Sequence, residues 1–370
     1  MVRIGLVGLG KMGLSHLSIA NAHPDAGVVA VCDSLGFGLD ILRKYTHVDT
    51  YADVDRMLAG ANLDAVIIAT PSSSHFDIAK TALLAGVHVF CEKPLTLSSA
   101  QSMELAQLAA AGGLVTQVGY HNRFIATFQE VHRLLQLGAI GKVSHVLAES
   151  YGPVVLKAKG TTWRSKRVTG GGCLYDYAAH PIDLLQWFFG EPDRVRGTVM
   201  HSIFSSETDD EVYSTLLFPG DVSAQLSVNW SDESQRKMTT GLTIWGEKGK
   251  ITADRQELHT YFRSTATPPD GYASGWNVRY TTDLTAPVAF YLRGEEYSAQ
   301  LDHFISAITA ARNSAGTTPL LGSRPLNSFA SAAVTDRILE ALIIDAERTS
   351  AAEQRSVSTG DTTHGSFAIR

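Results

Sequence analysis

Two segments far apart in the chain carry the side chains best suited to chemistry: Cys91-Glu92-Lys93-Pro94, and the run from Gly170-Gly171-Gly172 through Asp176 and His180 to Asp183. A lysine closing a buried strand presents an ammonium that can polarise a substrate oxygen and stabilise developing alkoxide character. Asp176 and His180 stand four residues apart, which on a helix places them on one face. A carboxylate holding one imidazole nitrogen fixes the tautomer and leaves the other nitrogen to carry a hydroxyl proton. Asp183 would share that face and bind a second substrate hydroxyl. Pro181 directly follows His180, so the helix either kinks there or starts afresh, and a fresh start weakens the same-face geometry. An ordinary surface lysine and a histidine that merely satisfies its helix neighbours are the bland alternatives. No third ligand of clear spacing supports a metal site. With a nicotinamide nearby, a cation and an oriented proton carrier are what hydride transfer asks of a protein.

A dinucleotide site is written at the amino terminus. Gly8-Leu9-Gly10-Lys11-Met12-Gly13 follows the first apolar run and opens a helical one. The first glycine permits a tight turn, the second lets backbone approach a pyrophosphate, and the third allows close helix–strand packing beneath the helix N-terminus. Asp33 follows about 20 residues later, where an acid binds the adenosine ribose. Its carboxylate would repel a 2′-phosphate, and Ser34 brings no offsetting charge. NAD is therefore expected, with NADP the alternative if Arg43 or Lys44 folds back. Thr70-Pro71 ends the fourth apolar run at the edge where cofactors sit. Ser72–Ser74 read as helix capping, with Ser74 the N-cap; His75 beside them is grouped with the cofactor residues, and Glu92 with the nicotinamide ribose.

The elements that must position these groups follow from the patterning. Short, continuously apolar runs at Val2–Val7, Val28–Cys32, Ala65–Ala69, Val87–Cys91 and Leu114–Gly119 alternate with amphipathic stretches, the signature of a doubly wound parallel sheet. Beyond about Gly141, longer alternating runs at Val143–Tyr151, Val195–Phe204, Val212–Phe218, Val222–Trp230 and Lys237–Trp245 predict a largely antiparallel sheet. Tyr297, Leu301, Phe304 and Ile308, then Val334, Ile338 and Leu342, mark two closing helices. The expected fold is thus α/β: an N-terminal Rossmann domain over 1–120, an α+β domain on an open, mostly antiparallel sheet over 121–350, and a polar tail over 351–370. Arg263 to Pro287, rich in Thr, Pro, Gly and Ser, reads as a long loop serving as a lid or oligomer arm, or simply as surface.

Composition narrows the function classes. At 370 residues two domains are expected, and a formal charge of −6 argues against a general nucleic-acid binder. Cys32, Cys91 and Cys173 show neither a disulfide framework nor metal spacing. No apolar run approaches the length of a membrane span, and no leader-like segment precedes the first strand, so a cytoplasmic enzyme is expected.

From Val2 to about Ser350 the chain resembles the Gfo/Idh/MocA family of glucose–fructose oxidoreductase and inositol dehydrogenase. The resemblance rests on the Gly8–Gly13 turn, Ala69-Thr70-Pro71, Glu92-Lys93-Pro94, Trp163-Arg164 and the Gly170–Asp183 run; Cys173 and Pro181 depart from the pattern. It implies that Lys93, Asp176 and His180 match the catalytic positions and that Asp183 touches polyols. It also implies that Trp163 and Arg164 lie near nicotinamide and substrate, and that copies pair into homodimers or homotetramers through the C-terminal sheet. The expected substrate is a sugar, cyclitol or sugar derivative. Lys157, Lys159, Arg164, Lys166 and Arg167, clustered without an acid, raise an anionic one, against the reading of a solvated loop. Two alternatives stand beside the dehydrogenase: an NAD-dependent glycosidase using transient oxidation, and a non-catalytic dinucleotide-sensing protein.

Overall fold

The structure is a computed structural model that describes residues 1–158, 163–313 and 326–358, without the side chains of Phe37, Trp163 and 352–358. Lys159, the Trp163 side chain and the end of the tail, 359–370, therefore lie outside the described residues.

Strands β1 (Val2–Val7) and β4 (Ala65–Ile68) are rich in Val, Ile and Leu and almost wholly buried, as the centre of a parallel sheet covered on both faces must be. Around them β2 (Ala26–Cys32), β3 (Asp49–Tyr51), β5 (His88–Cys91) and β6 (Thr116–Val118) complete six parallel strands in the order β3-β2-β1-β4-β5-β6. The chain winds one way from β1 to β3 and the other way from β4 to β6. The loops leaving β1 and β4 consequently part company at the sheet's carboxyl edge and open a crevice there. Helices α1 (Lys11–Ala22), α2 (Gly36–Tyr45), α3 (Val54–Gly60), α4 (His75–Leu84) and α5 (Ser99–Ala111) connect the strands. Ser74 stands at the N-cap position of α4 but makes no side-chain cap: it ends a short 3₁₀ turn, and its hydroxyl donates to Thr70 Oγ1 and the Pro71 carbonyl.

After α6 (Ala126–Gln136), β7 (Val143–Tyr151) starts the second sheet. A five-residue π-helical turn, Leu174–Ala178, runs directly into α7 (Ala179–Phe189). The remaining strands are β8 (Arg194–His201), β9 (Glu211–Phe218), β10 (Val222–Asn229), β11 (Gly241–Gly246), β12 (Gly249–Ala253), β13 (Glu257–Phe262) and β14 (Gly275–Tyr280). They lie in the order β14-β13-β12-β11-β7-β10-β9-β8, antiparallel except where β10 runs parallel to β7. Burial alternates along β7, β9 and β10, so one face packs against helices and the other stays open.

Two expectations fail in this region. Arg263 to Pro287 is not a long loop: it contains β14, paired along its length with β13, and the short α8 (Thr281–Leu284). The alternation of Trp276, Val278 and Tyr280 is a strand period that the surrounding Gly, Pro and Thr obscure. The polar tail does not begin at 351, because α10 (Phe329–Ser358) continues to Ser358; Ala and Glu in that stretch are favourable helix residues. Helix α9 (Glu295–Asn313) packs back on the first domain, with Leu301, Phe304 and Ile308 in one core with Ile4 and Leu6.

Candidate active site

The glycine turn leaves β1 with Gly8 at φ 98°, where a Cβ would sit 2.7 Å from the Ala69 carbonyl oxygen. A Cβ on Gly13 would lie 1.9 Å from the Gly8 oxygen, whereas above Gly10, the N-cap of α1, there is open space. That combination seats α1 tightly against the sheet and leaves its N-terminus bare for a phosphate, so the turn fits a dinucleotide. Asp33 Oδ2 accepts from Leu9 N–H at 2.6 Å and Oδ1 from Leu35 N–H at 2.7 Å, which fixes the carboxylate beside the turn. Ser34 follows it, exposed.

From this turn a cleft of about 390 Å³ runs to the second domain. Lys11, Met12, Thr70, Pro71, Glu92, Lys93, Arg164 and Asp176 all line it, with Arg293 on its wall. Glu92 is anchored from behind by His16 Nε2 at 2.6 Å. Burial pushes the Glu92 carboxyl up, but the hydrogen bond and charge of His16, with Lys93 beside it, bring it below the usual range.

Lys93 and Asp176 meet directly. The ammonium donates to Asp176 Oδ1 at 2.9 Å and to the Asp176 backbone carbonyl at 2.7 Å. Arg164 Nε donates to the other carboxylate oxygen at 3.1 Å. Burial raises the Asp176 carboxyl, and the two cations outweigh it, holding it below the ordinary carboxylate range. The glycines make this contact: a Cβ on Gly171 would meet the Arg164 carbonyl oxygen at 2.3 Å, and one on Gly172, at φ 109°, would meet Asp209 Oδ1 at 2.7 Å. Asp209 in turn accepts Leu174 N–H at 2.6 Å and starts the π turn.

His180 is placed otherwise than expected. Both Asp176 oxygens are engaged by cations, and His180 Nδ1 is buried without a partner. The physical reason is competition for the carboxylate: Lys93 and Arg164 take its two oxygens, while the His180 ring packs among other rings. Pro181 does not restart the helix: helical backbone runs unbroken from the π turn into α7, and the missing N–H removes one intrahelical bond there. His180 is 2 % exposed and packs edge-on to His121, with ring centroids 4.9 Å apart. Burial, then the charges of Lys93 and His121, push its pKa well below the ordinary value, so it is neutral. Burial likewise brings His121 down to about 3.

Two further expected ligands are spent on structure. Asp183 is wholly buried and takes a bidentate pair from Arg123, Nε to Oδ2 at 2.7 Å and NH2 to Oδ1 at 2.6 Å, so it does not face the cleft. His75 is buried with its ring nitrogens on the carbonyls of Pro94 and Thr70, joining those two turns rather than facing a cofactor. The sequence reasoning missed His16, Arg123, His121, Tyr297 and Arg293. Only His16 left a trace, one helical turn after Gly13 on the face of α1 that meets the sheet.

A glycine turn at a topological switch point, an acid after β2 and a charged cleft between the domains define a nicotinamide-dinucleotide oxidoreductase. Residues 2–120 match the oxidoreductase family with an NAD-binding Rossmann fold, and residues 128–252 match the GFO/IDH/MocA C-terminal domain. The chain belongs to this family, and its cofactor is NAD. It is 25% identical over 319 residues to the inositol 2-dehydrogenase of Rhizobium meliloti, across 84% of this chain and 94% of that one. To the 2,7-anhydro-N-acetylneuraminate hydratase of Escherichia coli it is 29% identical over 267 residues, across 70% and 68%. Levoglucosan dehydrogenase, solved with NADH and L-sorbose, shares the fold with a TM-score of 0.79 at 22% identity, covering 94% of this chain and 97% of that one. Among the described residues no helix is long and apolar enough to cross a membrane, and no cluster of His, Cys, Asp and Glu suits a metal ion.

Proposed function

We propose that the protein is an NAD-dependent dehydrogenase that oxidises a secondary alcohol of a sugar or cyclitol, or reduces the ketone. The observation that carries the reading is the Lys93–Asp176 pair on the wall of the cleft that begins at the glycine turn. NAD supplies the hydride acceptor; the rest falls to the chain's own side chains. Asp176, itself fixed by Arg164, holds the Lys93 ammonium in place, where it polarises the substrate oxygen and stabilises the alkoxide. His180, kept neutral by its surroundings, is the group assigned to receive the hydroxyl proton. Glu92, braced by His16, faces the cofactor ribose. Copies of the chain associate through the open face of the second sheet.

The test is NADH absorbance across a panel of sugars, cyclitols and sugar acids, followed by Lys93→Ala. Loss of this cation is expected to lower kcat by about 10²–10³-fold while NADH still binds. An unaltered kcat sinks the assignment, and an unaltered response to ligand without any turnover would favour a sensing protein.

The hydratase relative supports a second reading. Its name denotes addition or removal of water, with no net redox change. The same site could oxidise a sugar transiently, eliminate, and reduce again, consistent with a glycosidase or hydratase. Product formed without NADH release would select it.

A further inference from the structure

We propose that Arg293 recognises an anionic group, carboxylate or phosphate, on the sugar that enters the cleft, so that the substrate class is an acidic sugar. The inference rests on the cleft being the substrate site, as proposed above. Most of the charges in that cleft are already satisfied by the protein. Asp176 is held by Lys93 and Arg164, and Glu92 by His16. The bare N-terminus of α1 and Lys11 face the position of a cofactor phosphate. Arg293 remains. Among the described residues no carboxylate forms an ion pair with it; its guanidinium lies over the Tyr297 ring, 5.4 Å from the centroid.

The backbone at this position is held in a conformation that non-glycine residues rarely adopt, φ 65°, with Gly294 following at φ 141°. Such strain persists where the surroundings enforce it, and it concentrates at ligand sites. Here Arg255 enforces it, donating to the Arg293 carbonyl at 3.3 Å while pairing with Glu296 at 2.5 Å. The guanidinium is thus presented in advance, and a planar fork of donors matches a carboxylate or phosphate better than a hydroxyl. Tyr297 also stacks on His121, with centroids 4.8 Å apart and planes 20° from parallel, and His121 meets His180 edge-on. An anion on Arg293 would therefore dock at one end of a column of rings whose other end is the buried histidine.

The test is calorimetric titration of the NADH-loaded protein with glucuronate, glucose 6-phosphate, glucose and myo-inositol, none of which requires turnover. At least one anionic sugar is expected to bind ~10–100-fold more tightly than either neutral compound, and Arg293→Gln should abolish that preference. Whichever anion binds identifies carboxylate or phosphate as the group recognised. Arg293→Lys should restore only part of it, since the fork is lost. No anion binding, tighter binding of a neutral sugar, or a loss of NADH affinity in Arg293→Gln equal to the loss for the sugar would overturn the proposal. Absence of NADH formation with a tightly bound anionic sugar would count instead against the dehydrogenase reading alone.

Discussion

Asp183 shows how far a residue's neighbours decide its role. On a helical wheel it stands one step beyond His180, facing a supposed substrate. In the structure its carboxylate and the Arg123 guanidinium are 1% and 2% exposed and locked together, with Gln186 sharing the same guanidinium. Breaking a buried pair by removing one partner leaves the other charge stranded, at a cost of about 3–5 kcal/mol. Asp183→Asn should therefore lower the unfolding free energy from urea denaturation by about that amount while the KM for substrate stays within about twofold in the protein that remains folded. A raised KM with unchanged stability would return Asp183 to the substrate. Lys93 is the opposite case: strand end and proline told its position from local sequence. Its partner was legible only as one of a pair, and the pair was assigned to the wrong member.

At the scale of elements, the join between α10 and the first domain includes one buried acid. Asp336 of α10 is buried and accepts from Ser102 Oγ of α5 at 2.6 Å and from Thr96 N–H at 3.3 Å, while its Oδ1 has no partner. Burial pushes its pKa up to about 7, opposed by those two hydrogen bonds and reinforced by Asp183. A carboxyl whose folded pKa lies above its unfolded value binds more protons when folded. Its stabilising contribution is complete below the ordinary carboxylate range and disappears as pH rises through about 7. The shift corresponds to roughly 3–5 kcal/mol across that window. Asp336→Asn keeps an acceptor for Ser102 without the titration, so its stability should vary less between pH 4 and 8 than that of the unmutated protein. Urea denaturation at a series of pH values measures this, and parallel curves would contradict it.

At the scale of the whole molecule, the second sheet exposes a cluster of large apolar side chains among the described residues. On the open face and edge of the second sheet Trp276 is 63% exposed, Tyr280 50%, Val278 44% and Tyr261 38%. Aromatic and branched residues clustered on a flat face mark an association surface, and an unprotected edge strand adds to it. A second copy of the chain is the occupant expected from the resemblance. Sedimentation velocity at micromolar concentration should show a dimer or tetramer, and Trp276→Asp with Val278→Asp should shift it to monomer. A monomeric unmutated protein would refute the association, and an oligomer indifferent to both changes would relocate it.

What the chain determined by itself is whatever depends on near neighbours. Apolar runs announced the central strands, glycine spacing announced the cofactor turn, and Lys93-Pro94 announced the cation at the sheet edge, because these are properties of a few consecutive residues and their backbone requirements. Strand β14 was also written locally, in the alternation of Trp276, Val278 and Tyr280, under a composition that read as loop. Tertiary structure alone decided which charges meet. Asp176 turned to Lys93 and Arg164, cations brought to it by separate segments, rather than to His180 four residues on. Asp183 paired with Arg123, and Arg293 reached the cleft, only because separate elements converge there. Ion pairing acts across space with no sequence period to betray it, so the residue set could be read while the partnerships could not.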